Sequence, residues 1–270
     1  MFQLESILNE TNDKLIAVAF QDLETDGEYF RNADHVFHPA STFKVHVMME
    51  VFREANEGVL SLEDRLPIVN SFGSIADGSL FSLKVKDDAE QTLYPRLGET
   101  ETIQELTRLM IVRSSNLATN ILIERVGTKN INDYVQALGI QGVTVRRGVE
   151  DNVAFARGMN NSATARGLTQ TMSLIARKKV VSQAASERMI EILLRQEFNE
   201  SIPALLPNSV KVAHKTGWTN DLFHDTGIVF PDGRRPYILS IMTQGFAEDQ
   251  ETEAHECMAE ISRAIYEQLP

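Results

Sequence analysis

The chain has 270 residues, 43% hydrophobic and 24% charged, with a formal net charge of −12 at pH 7. That length suits one large domain or two intimate ones, and the acidic balance argues against a nucleic-acid partner, since nothing here would displace counterions from a phosphate backbone. Cys257 is the only cysteine, so an intrachain disulfide is excluded and the compartment stays open.

The opening "MFQLESILNETNDK" has no basic n-region, apolar h-region or small-residue cleavage site. The expectation is a cytosolic protein or the mature form of an exported one, with the choice open. A helix is predicted over residues 2–13, then "KLIAVAFQDL" as a strand, "TDGE" as a turn and "YFRNADHVF" as the partner strand. The run "LIAVAF" is far too short to cross a bilayer, so no membrane span is expected.

A long helix should follow from Ser41 to Asn56, with Val45, Met48, Met49 and Phe52 on one face and Gly58 as its stop. Further helices are read in "TIQELTRLMIV", where Thr102 and Glu105 have capping-box spacing, in "NLATNILIERVG" up to Gly127, and in "NINDYVQALG" up to Gly139. Two more are expected from Ala163 to Arg177 and from Gln183 to Arg195.

The last third returns to strands, "SVKVAHKTG", "FHDTGIVF" and "PYILSIMTQG", the latter two joined by a "PDG" turn. The terminal helix carries Cys257, Ile261, Ala264 and Ile265 on one face. Strands at both ends with helices between imply an α+β fold: an antiparallel sheet built from both termini, with an all-α subdomain inserted. No repeat, low-complexity tract or Pro/Gly-rich linker divides the chain.

Three stretches carry chemistry. In "HPASTFKVHVM", Ser41 and Lys44 lie three residues apart, so on a helix they share a face. A hydroxyl is a poor nucleophile until a neighbour takes its proton, and an amine whose pKa burial lowers can do that. A helix start adds free N–H groups where an oxyanion would form. A capping serine followed by a snorkelling lysine gives the same pattern with no chemistry. "RSSNLATN" adds Ser114, Ser115 and Asn116 at a helix start, and "VAHKTGWTN" adds Lys215, Thr216 and Gly217 at a strand end. A helix cap and a strand-ending turn would explain each of those alone. All three in this order rarely coincide by accident.

On these residues the chain resembles the serine β-lactamases and penicillin-binding proteins, most closely the class A β-lactamases, whose signature is S-x-x-K, S-D-N and K-T-G. The resemblance spans nearly the whole chain. It implies a five-stranded antiparallel sheet flanked by helices, with an α/β part at about 1–40 and 200–270, a helical subdomain at about 41–199, and the site between them. It also implies a small-molecule substrate, a β-lactam or a peptidoglycan-like peptide, and no metal or cofactor; a monomer is expected.

The implied roles follow. Ser41 is the nucleophile that forms an acyl-enzyme, Lys44 its proton partner, and Ser114 the relay to the leaving nitrogen. Asn116 binds the substrate's side-chain amide, Lys215 and Thr216 hold its carboxylate, and Gly217 lets the strand backbone come close. The oxyanion hole is the N–H of Ser41 and that of Trp218. Deacylation needs a base, and class A enzymes take it from a loop reading roughly E-x-x-L-N. In "RRGVEDNVAFARGMNNS" Glu150 is the candidate and Asp151 its rival, while Ala154 stands where the asparagine belongs. Asn152, Asn160 or Asn161 could replace that water ligand.

Three further departures stand out. Ser115 replaces the family's aspartate, residues 70–99 are longer than usual, and Trp218 is bulky beside the oxyanion site. Phe81 or Tyr94 could wall the cleft from the long segment, or the segment could pack its own aromatics. Neither "HVFH" (His35, His38) nor "AHEC" (His255, Cys257) has zinc-site spacing, and there is no G-x-S-x-G, G-x-G-x-x-G or Walker loop. His224 and Asp225 lie near the Lys-Thr-Gly strand, as cleft residues or as a strand pair without catalytic duty. The leading expectation is a class A-like β-lactamase. The alternatives are a D,D-peptidase or esterase, and a penicillin-binding sensor that acylates without turnover.

Overall fold

The computed structural model describes residues 2–11 and 14–269. Five antiparallel strands form the main sheet: β1 (Leu15–Asp22), β2 (Glu28–Arg31), β3 (Lys211–Thr219), β4 (Leu222–Phe230) and β5 (Tyr237–Gln244). Their order is β2-β1-β5-β4-β3. The two ends of the chain meet where β1 pairs with β5, from Leu15 opposite Gln244 to Asp22 opposite Tyr237. The fold is α+β, with the sheet drawn from both ends and helices between.

Side-chain alternation in β1 assigns each face of the sheet. Ile16 and Val18 join Tyr237, Leu239 and Ile241 against α1 (Phe2–Glu10) and α9 (Glu251–Tyr266). The predicted α9 face, Cys257, Ile261, Ala264 and Ile265, is buried in that layer. Residues 12 and 13 of the predicted first helix lie outside the described residues.

Ala17 and Ala19 look the other way, toward the helices. Their small size lets α7 (Ala165–Ala176) come close enough for the Thr169 hydroxyl to meet the Ala19 carbonyl at 3.2 Å and the Ser240 hydroxyl at 2.8 Å. Beyond lies α2 (Lys44–Asn56), buried almost throughout, among α3 (Ile103–Val112), α4 (Asn116–Val126), α5 (Thr128–Ala137) and α8 (Gln183–Leu193). Thr102, Ser115, Thr164 and Ser182 cap α3, α4, α7 and α8 by accepting a backbone N–H three residues on. Only that half of the capping box forms at Thr102, because the Glu105 carboxylate pairs with Arg108 at 2.6 Å.

Two expectations are corrected. The second strand stops at Arg31, because Asn32 turns left-handed (φ 49) and its side chain donates to the Ile16 carbonyl at 2.9 Å. Phe37 bridges to Ala163 instead of extending the hairpin. The helix expected from Ser41 begins as a 3₁₀ turn, Ala40–Phe43, and becomes α-helical only at Lys44.

Candidate active site

The turn that presents Ser41 is bent before it starts. Ala40 has φ 45, a conformation costly for a residue with a Cβ. His224 fixes the entering segment: its Nε2 contacts the His38 carbonyl at 2.9 Å, while the Thr243 N–H donates to its Nδ1 at 3.2 Å. Strand β3 then passes against the turn. A Cβ at Gly217 would sit 2.5 Å from the Ser41 nitrogen and 3.0 Å from that of Thr42, so only glycine fits.

Lys44 opens α2 and is completely buried. Its ammonium donates to the Ser114 carbonyl at 2.7 Å, Asn116 Oδ1 at 2.9 Å and Ser114 Oγ at 3.3 Å. Among the described residues no hydrogen bond joins it to Ser41. Burial pushes its pKa down to about 7, against the pull of the negative charges on Asp88 and Glu150.

Ser114 has φ 55 and precedes the true cap, Ser115. Its hydroxyl also receives a hydrogen bond from the Lys215 ammonium at 3.1 Å, so it lies between two buried lysines. Burial, and then the nearby Lys44 charge, hold Lys215 well below the ordinary lysine range. The Thr216 hydroxyl, one residue on, is buried and has no hydrogen-bond partner among the described residues.

Glu150 is half-buried, with φ 61, and faces the same cluster. Asn116 Nδ2 donates to its carboxylate at 3.4 Å, and so does the backbone N–H of Lys84. Burial raises its pKa, helped by the charges of Asp87 and Asp88 and opposed by those two donors.

The loop behind it is tied at both sides. Asn120 exchanges hydrogen bonds with the Val149 backbone at 2.7 and 3.0 Å, and Gly148 leaves room for that amide, which a Cβ there would meet at 2.5 Å from Oδ1. Asn161 accepts from the N–H of Arg146 and of Arg147, at 2.7 and 3.0 Å, and donates to the Arg147 carbonyl at 3.0 Å.

Asp151, the rival candidate, is fully engaged in local hydrogen bonds. Its carboxylate accepts from Ser74 Oγ at 2.7 Å, Ile75 N at 2.9 Å and Ala154 N at 3.0 Å, capping the short α6 (Asn152–Ala156). The asparagines weighed as water ligands are elsewhere engaged or exposed: Asn161 clamps the loop, Asn160 accepts from Arg147 at 3.2 Å, and Asn152 faces solvent. Asn116 is the side-chain amide that reaches Glu150.

The sequence reading missed Asn120 and Asp88. Asp88 is buried and accepts from Asn116 N at 3.0 Å, Leu117 N at 2.9 Å, Tyr94 Oη at 2.9 Å and Glu90 N at 3.0 Å. The pair of aspartates in "KDDAE" was the available signal. Tyr94 therefore lies buried under the site, and Phe81 packs on Phe72 with centroids 5.9 Å apart, so the long segment packs its own aromatics.

Trp218 is 38% exposed at the rim, edge-on to Phe198 at 5.1 Å. His224 and Asp225 are structural: Asp225 accepts from Ile202 N at 3.1 Å and sits 3.0 Å from His214 Nδ1, all of it buried. No group of three or more His, Cys, Asp or Glu among the described residues could hold a metal ion.

The model of the β-lactamase enzyme family matches residues 2–269. The chain belongs to that family. It is 25% identical over 249 residues to the extended-spectrum β-lactamase PER-1 of Pseudomonas aeruginosa, covering 86% of this chain and 75% of that one. A β-lactamase of Streptomyces fradiae is 24% identical over 276 residues, covering 97% and 84%.

Solved structures share the fold. A mutant of PBP-A, an acyl-enzyme complex with penicillin G, superposes with TM-score 0.83 at 23% identity over 98% of this chain and 94% of that one. A β-lactamase from Chitinophaga pinensis gives TM-score 0.84 at 20% identity over 99% of both. The family and its named relatives make the chain a serine β-lactamase-like hydrolase, and the solved structures share its fold.

Proposed function

We propose that this chain is a class A-like β-lactamase that opens β-lactam rings through an acyl-enzyme on Ser41. The observation that carries the reading is the convergence of Lys44, Ser114 and Lys215 in one buried cluster, with Gly217 pressed against the Ser41 amide.

The Ser41 hydroxyl attacks the lactam carbonyl and its proton passes to Lys44. With a pKa of about 7 that amine is substantially neutral at physiological pH, as a base must be. The Ser41 and Trp218 N–H groups receive the developing oxyanion. Ser114, held between the Lys44 and Lys215 amines, relays the proton that Lys44 took from Ser41 to the ring nitrogen as the C–N bond breaks. The substrate carboxylate accepts from the unpartnered Thr216 hydroxyl and lies beside Lys215. Asn116 faces the acyl side chain.

Deacylation falls to Glu150, whose carboxylate takes a proton from water as that water attacks the ester; the acyl–Oγ bond then breaks and the Ser41 oxygen recovers a proton. Its raised pKa makes it a stronger base and moves the acid limb of turnover above the usual carboxylate range.

A second reading has its own observation: Ala154 leaves the hydrolytic water without the family's asparagine, which favours a protein that acylates and stalls, a sensor or a D,D-peptidase. Intact mass after mixing with a penicillin, together with absorbance of a chromogenic cephalosporin, separates them. Rapid turnover without a lasting adduct is expected. A persistent adduct abolished in Ser41→Ala would establish the second reading, and neither adduct nor turnover would remove both.

A further inference from the structure

The long segment 70–99 returns to the site at several points. Ser74 and Ile75 hold Asp151, Lys84 N–H holds Glu150, and Asp88 holds the first two amides of α4. The last contact lies where the family signature has an aspartate and this chain has Ser115, whose hydroxyl satisfies only the Ala118 N–H at 3.1 Å. The open donors at the start of α4 would otherwise be buried without partners.

We infer that Asp88 is a positioning residue for the acylation and deacylation proposed above: supplied by the insertion, it replaces the missing aspartate by fixing Asn116 and keeping a negative charge beside Lys44. Asn116 is the hinge of the arrangement. Its backbone N–H donates to both Asp88 oxygens at 3.0 Å, while its side chain accepts from Lys44 at 2.9 Å and donates to Glu150 at 3.4 Å. Moving the start of α4 therefore moves the partners of both the amine and the carboxylate.

The charges around Lys44 can be named element by element. Lys215 faces it from β3, and Glu150 from the loop before α6. Asp88 comes from the insertion; Asp87 beside it acts on Glu150 and Tyr94, and Glu90 is neutralised by Arg113 at 2.7 Å. Asp88 is the largest of the negative charges acting on Lys44, through which it keeps the amine from falling further below about 7. Removing it lowers that pKa, so the free amine persists to lower pH.

The test is Asp88→Asn, which keeps the shape and one carbonyl acceptor. Two measurements are made beside wild type: the NMR titration of the Lys44 side chain in lysine-labelled protein, and the pH profile of penicillin adduct formation by intact mass. The Lys44 midpoint and the acid limb of acylation should both fall by about one pH unit, with the plateau rate down at least tenfold. Ser115→Asp in the same background should restore both.

A purely structural Asp88 would lower the melting temperature and leave the midpoint in place, which would overturn the inference. Should Asp88→Asn not fold, the double variant decides: a folded protein with the wild-type midpoint supports the replacement, and anything else overturns it. The lysine titration needs no substrate, so an absent adduct in wild type counts against the proposed function, while an unmoved midpoint counts against Asp88.

Discussion

Gly217→Ala is the sharpest probe of how the proposed nucleophile, Ser41, is held. The new Cβ would stand 2.5 Å from the Ser41 nitrogen, 3.0 Å from that of Thr42 and 3.1 Å from the Ala40 Cβ, where ordinary contact begins at 3.4 Å. Two of the three obstacles are backbone and the third is a Cβ fixed to it, so no flexible side chain can swing aside. Strand and turn must part by about 1 Å, a displacement that typically costs about 100-fold in rate. The same movement separates the two proposed oxyanion donors, one on each side of the gap, and losing one such donor costs ~10²–10³ in kcat, or about 3 kcal/mol. Both losses arise from one displacement. The rest of β3 stays paired with β4, so the melting temperature should fall only a few degrees, in keeping with about 1–3 kcal/mol of overpacking. Stopped-flow acylation with the chromogenic cephalosporin, with a thermal melt of the same sample, reads both quantities. Acylation within tenfold of wild type, in a folded protein, would refute the claim that close approach of Gly217 forms the oxyanion site.

Glu150→Gln should still acylate Ser41 and then stall, leaving a stable adduct by intact mass; unchanged turnover would take Glu150 out of the mechanism. Lys44→Met should abolish measurable acylation and also flatten the stability profile at mildly alkaline pH. Because burial lowers the Lys44 pKa from 10.5 to about 7, the unfolded chain binds the extra proton above pH 7, so this group makes wild type more stable as pH rises. Between pH 7 and 9 that contribution is about 2 kcal/mol, so the stability from urea melts at each pH should rise more steeply with pH in wild type than in the variant, by that amount over the interval. Equal slopes would show that the buried amine is not neutral. Asn161→Ala removes three buried hydrogen bonds from the loop behind Glu150 and should cost about 2–3 kcal/mol. Its deacylation should slow more than its acylation; equal slowing would mean that the loop does not locate the base.

Much of this was legible because it is local. Strand alternation in "LIAVAF", the apolar face of α9 and the cap at Thr102 each depend on residues a turn or two apart, and each reads directly from sequence, while the start of α4 offered Ser114 or Ser115 as its cap and Ser115 takes it. Ser41, Lys44, Ser114, Lys215 and Gly217 were singled out because their spacing matches a family signature. What stayed hidden depends on contacts across the chain. Asp88 reaches Asn116 over 28 residues, and nothing in the spacing of "KDDAE" marks one aspartate as buried and its neighbour as exposed. Asn120 reads as one more polar residue in a helix until Gly148 is laid against it. The early end of β2 follows from a single left-handed asparagine, and alternation alone gives no warning of it.

The helix that begins at Lys44 has consequences for how the protein fails. It is walled in by four other helices, and its polar side chains Lys44, His46, Glu50 and Glu54 are themselves buried. Lys44 is mounted on that enclosed helix and Ser41 on the turn leading directly into it, so neither loosens while the surrounding helices stay ordered. Heat inactivation at the nucleophile should therefore coincide with collapse of the whole structure, with no cooler stage at which the protein is folded and Ser41 misplaced.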